Sequence, residues 1–97
     1  MTVQDLQKSI SNLEKILPKT RGMEKMELND TINELKRKKA NLITNALDDL
    51  NINISQEDID VLNQATIDVE SAIASEQHKT ELVSKVIGIG KKILGFL

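Results

Sequence analysis

The chain has 97 residues, of which 39% are hydrophobic and 29% charged, with a formal net charge of −2 and no cysteine. That is one small folded domain with a core of modest size; disulfide frameworks and thiolate metal sites are excluded, and the overall charge gives no reason to expect a nucleic-acid partner. Phe96 is the sole aromatic residue, so the core has to be assembled from Leu, Ile, Val, Met and Ala.

Thr2 reads as a helix N-cap, with Asp5 where an acid supports the first turn. Val3, Leu6, Ile10, Leu13 and Leu17 follow at spacings of three and four, which places them on one helical face. Pro18 ends this helix, because the residue before a proline disfavours helical backbone. Lys19–Gly22 is a short polar connection.

A second helix is predicted from about Met23 to Leu50. Leu28, Ile32, Leu35, Leu42 and Ala46 form its stripe, with Lys39 as the one charged member. Ile43, Leu47 and Leu50 widen the stripe in the C-terminal half, which suggests contact with more than one neighbour. The run "KRKK" at Lys36–Lys39 falls inside this helix; four successive helical residues point in nearly all directions, so the reading is a solvated face rather than a flat basic patch. Asn51–Asn53 is turn chemistry.

Ser55 caps the third helix. Asp58 stands at the third helical position of a capping box, and Ile54 and Ile59 are spaced for a hydrophobic staple. Ile59, Leu62, Val69 and Ile73 continue the stripe, flanked by Ala65 and Ala72. "SEQHKTE" at Ser75–Glu81 is wholly polar and interrupts it. A bend or break, restarting at Ser75 or Thr80, is preferred over one continuous helix. The fold class is therefore an all-α, antiparallel helical bundle of three helices, or four if the last is broken near 75–81. Helices two and three are expected to pair antiparallel through the Asn51–Ser55 turn, with helix one covering part of their groove.

The final stretch, 82–97, is a cationic amphipathic helix. Ser84, Lys85, Gly88, Lys91, Lys92 and Gly95 gather on one side; Leu82, Val83, Val86, Ile87, Ile89, Ile93, Leu94, Phe96 and Leu97 occupy the rest. Gly88, Gly90 and Gly95 each cost roughly 1 kcal/mol against alanine, while each large apolar side chain returns roughly 1.5–3 kcal/mol on burial, so the segment needs a surface to fold on. That surface is the chain's own core, a protein partner or a lipid interface. Candidate partner or membrane contacts are Val83, Lys85, Val86, Ile89, Lys91, Lys92, Ile93, Phe96 and Leu97. The segment is similar to cationic amphipathic membrane-active peptides, including the "GIGK" run at Gly88–Lys91, over about a sixth of the chain. The resemblance implies interfacial binding to anionic lipid. A comfortable membrane span is not expected, because the apolar run is too short and lysines interrupt it.

Chemistry finds little support. Asp49, Asn51, Asn53, Ser55, Glu57 and Asp60 fall at calcium-loop spacing, but Ile54 occupies the position that demands glycine. Ser75, His78 and Glu81 share one helix face and cannot converge into a catalytic relay. No Glu-x-x-His pair or phosphate-binding glycine loop occurs. The expectation is a non-catalytic helical interaction protein: an adaptor, inhibitor or immunity-type factor that binds a protein partner or itself. The alternative is a protein of the membrane surface, whose last helix inserts into anionic lipid. Neither reading calls for a cofactor, a metal, a nucleic acid or a small-molecule substrate. A cytoplasmic location, peripheral at the membrane under the second reading, fits the lack of cysteine and of a basic, apolar leader. Small bacterial immunity factors and phage proteins are comparable helical designs.

Overall fold

A computed structural model describes residues 2–42, 50, 52–70 and 76–97. Four α-helices pack against one another: α1 Val3–Ile16, α2 Gly22–Ala40, α3 Gln56–Glu70 and α4 Glu76–Phe96. A 3-10 turn, Leu17–Lys19, follows α1. The all-α bundle read from the sequence is the fold, with four α-helices among the described residues.

Local chemistry sets both ends of α1 and α2 and the start of α3. At α1, the Asp5 N–H donates to the Thr2 hydroxyl at 3.1 Å, and the Thr2 N–H donates to the Asp5 carboxylate at 3.0 Å. This reciprocal capping box satisfies two donors that the first turn would otherwise leave unpaired. Pro18 lies within the 3-10 turn that ends the segment. Thr20 then turns inward, and its hydroxyl donates to the Ile16 carbonyl at 3.0 Å. Gly22, with φ of +68°, reverses the chain into α2 through a backbone conformation that other residues resist.

α2 ends at Ala40, well short of the expected Leu50. Arg37, Lys38 and Lys39 form its last turn, where cations complement the carbonyl end of the helix dipole, and Asn41 is the C-cap. "KRKK" is thus a stop signal rather than a mid-helix face. Leu28, Ile32 and Leu35 are buried, Lys39 is half-buried, and Leu42 and Leu50 pack on the core without belonging to a helix. Ile43, Ala46 and Leu47 lie outside the described residues. At α3, the Asp58 N–H donates to the Ser55 hydroxyl at 3.2 Å, as the cap requires. α3 is described to Glu70 and α4 from Glu76, so the polar residues Glu76–Glu81 form the opening turns of α4 rather than a break within a helix. Thr80 is no cap; it sits inside α4. Ser75 lies outside the described residues.

The expected pairing of helices two and three is not what forms. α2 packs on α1 and α4, and α3 packs on α1 and α4, so α2 and α3 stand diagonally opposed. The broad apolar face of α4 takes the place beside α2. Directions follow from named contacts. Asn12 donates to Asn63 at 3.1 Å, and Asp5, Lys8 and Ile59 border one cleft, so α1 and α3 run parallel. Lys92 meets Asp58 while Ile89 faces Val61, so α3 and α4 run antiparallel. Glu24 lies by Lys79 and Val83, and Thr31 by Gly90, so α2 and α4 run parallel. The molecule is two helical hairpins, α1–α2 and α3–α4, laid side by side.

α4 closes the core. Val83, Val86, Ile87, Ile89 and Ile93 are all buried, alongside Leu6, Ile10, Leu13 and Ile16 of α1 and Leu62, Ala65 and Val69 of α3. At roughly 1.5–3 kcal/mol each, those five side chains return on the order of 10 kcal/mol, against about 3 kcal/mol for the three glycines. Gly90 is itself buried and required. A Cβ there would stand 2.8 Å from the Thr31 methyl, and the Thr31 hydroxyl is pinned by its 2.8 Å bond to the Glu27 carbonyl.

Candidate interaction surfaces

The nine sequence-proposed contact positions divide sharply. Val83, Val86, Ile89 and Ile93 face the chain's own core, with exposures between 0 and 7%. Lys85, Lys91, Lys92 and Phe96 are exposed, and Leu97 is half-buried. Lys91 pairs with Glu27 of α2, and Lys92 with Asp58 of α3 at 3.0 Å. The cationic side of α4 is therefore straddled by carboxylates from both neighbouring helices. Lys85, Gly88 and Ile89 line a shallow groove that Glu57, Asp58 and Val61 complete from α3. The tail's accessible part is its lysines and its last turn.

A cleft of about 380 Å³ opens between α1 and α3. Ile52, Ile54, Ile59 and Leu62 supply its apolar lining, and Asp5, Lys8, Asn12 and Asn63 its polar one. Several of its polar groups are already engaged within the fold: Asn12 bonds Asn63, Ser9 donates to the Asp5 carbonyl at 3.1 Å, and the Asp5 carboxylate accepts from Thr2. That backbone N–H of Thr2 holds the Asp5 pKa below its ordinary value, with the Thr2 hydroxyl as the next contribution. Ile54 and Ile59, the proposed staple pair, are both half-buried here.

Other apolar side chains are left in water. Met23 is 85% exposed, Met26 69%, Ile67 63% and Phe96 43%. Sequence reasoning passed over the first three. The signal was helical phase: Met26 lies two residues before Leu28, and Ile67 two after Ala65, which puts each across the helix from a buried neighbour. The "KRKK" residues are solvent-facing or half-buried, and two of them pair outward, Lys36 with Glu14 at 3.2 Å and Arg37 with Glu34 at 3.0 Å.

Ser55 of the calcium-like loop serves as the α3 cap, whereas Asp49 and Asn51 lie outside the described residues. Among the described residues, no three His, Cys, Asp or Glu side chains gather as metal ligands. His78 is exposed on the first turn of α4. No helix among the described residues is long and apolar enough to cross a membrane. No family model, no curated protein and no solved structure matches the chain.

Proposed function

We propose that this chain is a non-catalytic helical interaction protein, an adaptor, inhibitor or immunity-type factor that binds a protein partner or a second copy of itself through exposed helix positions. The observation that carries the reading is the exposure of Met23, Met26, Ile67 and Phe96 on a bundle whose other described large apolar side chains are mostly buried. Large apolar groups left in water are the raw material of a docking face, and methionine adapts to irregular partners. On α4, contact would run through Lys85, Lys91, Lys92, Phe96 and Leu97, because the apolar strip of that helix serves the core.

A second reading, a membrane-surface protein, draws on Phe96 exposed on the same helix as Lys91 and Lys92. Inserting the buried strip of α4 into lipid would require that helix to leave the bundle and give up five core side chains. Two measurements divide the readings. Under the first, sedimentation equilibrium of the intact chain shows self-association weakened by Phe96→Ser or Met26→Ser, or a monomer that binds a protein partner. Anionic phosphatidylglycerol vesicles then fail to sediment it. Salt-sensitive vesicle binding that disappears in Ile89→Asp and in a chain ending at Glu81 would replace the first reading with the second.

A further inference from the structure

The basic character of this protein is not confined to its tail. Residues 15–26 carry Lys15, Lys19, Arg21 and Lys25 against Glu24 alone, in a chain whose net charge is −2. The fold gathers part of that charge at one corner. Lys19, Thr20, Arg21 and Glu24 line one side of a small cleft of about 70 Å³, and α4 contributes Lys79, Thr80 and Val83 from the other. The ion pairs of the described residues employ Lys36, Arg37, Lys91 and Lys92, so Lys19, Arg21 and Lys79 have no carboxylate partner among the described residues. Their setting is built: Thr20 is buried and bonded to Ile16, and Gly22 fixes the reversal. Immediately beyond Arg21, Met23 and Met26 stand one turn apart and are the two most exposed large apolar side chains described.

We propose that this corner docks an acidic, amphipathic segment of a protein partner, whose carboxylates meet Lys19, Arg21 and Lys79 and whose apolar side chains settle on Met23 and Met26. The proposal rests on the interaction reading above and names its surface and partner chemistry. Charge complementarity selects the partner: the exposed Lys19 and Arg21, with the half-buried Lys79 beside them, steer an anionic surface and set its register. Lipid fits less well. Interfacial anchors are rich in Trp, Phe and Leu on a continuous helix face, whereas this corner offers two methionines and a narrow cleft suited to single carboxylates.

The test titrates the intact protein with a synthetic helical peptide of Glu and Leu, reading amide shifts by NMR, with a Gln/Leu peptide and phosphatidylglycerol vesicles as parallel arms. Shifts should centre on residues 19–26 and 79–83. Lys19→Glu with Arg21→Glu should weaken binding about tenfold or more, as expected for close charge pairs. Met23→Ser with Met26→Ser should weaken it several-fold, and Glu24→Gln should strengthen it by removing the one repulsive carboxylate. These positions line the surface, so unchanged melting temperatures confirm an intact fold. Shifts confined to Lys85–Leu97 would overturn this surface while leaving the interaction reading in place. Equal binding of the Gln/Leu peptide, vesicle binding that needs the same residues, or no peptide binding would each overturn the proposal; self-association in sedimentation would keep the broader reading alive.

Discussion

Gly90 and Gly88 carry the same residue type on the same helix and face opposite constraints. Gly88 is exposed, with nothing near the place a Cβ would take, and Gly95 is alike. There, alanine removes backbone freedom from the unfolded chain at no steric cost, and Gly88→Ala should stabilise by roughly 0.5–1 kcal/mol. At Gly90 the same change drives a methyl to 2.8 Å from Thr31, whose rotamer its own hydrogen bond holds. Gly90→Ala should destabilise by roughly 1–3 kcal/mol, the ordinary cost of overpacking. Urea midpoints of the two variants measured side by side check the sign; a stabilised Gly90→Ala would show that Thr31 yields freely.

At the level of single elements, the Thr2–Asp5 box is the clearest handle. Asp5 has a lowered pKa in the folded chain because the Thr2 N–H bonds its ionised form. The sign follows directly: its contribution is present above the unfolded carboxylate value of about 3.9 and is lost as pH falls through the lower folded value. Asp5→Asn should therefore cost at most about 1 kcal/mol at neutral pH, solvent screening keeping it small, and progressively less in acid. Parallel chemical denaturation of both proteins across that range checks it; a gap that widens in acid would contradict the assignment. The caps of α1 and α3 were legible because Thr2 and Ser55 are short-range chemistry. The end of α2 was misplaced because apolar spacing through Leu42–Leu50 outweighed the basic last turn and Asn41. Leu42 and Leu50 pack on the core as non-helical residues, an outcome that apolar spacing alone does not distinguish from a helical stripe.

For the molecule as a whole, α4 decides whether there is a core. It supplies five buried side chains, and Lys91 and Lys92 tie it to both neighbours. A chain ending at Glu81 should lose its cooperative urea transition, followed by far-ultraviolet circular dichroism; a retained sharp transition would mean that α1, α2 and α3 form a core by themselves. The helical class and most core positions were readable from periodicity. The neighbour relations were not. Spacing identifies a face without naming what covers it, and the broad apolar strip on residues 82–97 is compatible with the bundle's own core, a partner or lipid. Val83, Val86, Ile89 and Ile93 lie on that strip, and the fold buries them in its own core. The charged corner at Lys19, Arg21 and Lys79 joins residues about sixty positions apart, which no local pattern announces.

The side-by-side placement of the hairpins has a kinetic consequence. Two of the four seams join residues far apart in the chain, such as Asn12 with Asn63, 51 positions away, and Glu27 with Lys91, 64 away. Large loops must close before those seams reward the chain, so the search for the native state is slower than in a bundle whose neighbours follow one another in order. Until it ends, each hairpin displays a greasy flank to any other copy in solution, and newly made chains are most vulnerable to clumping in that interval.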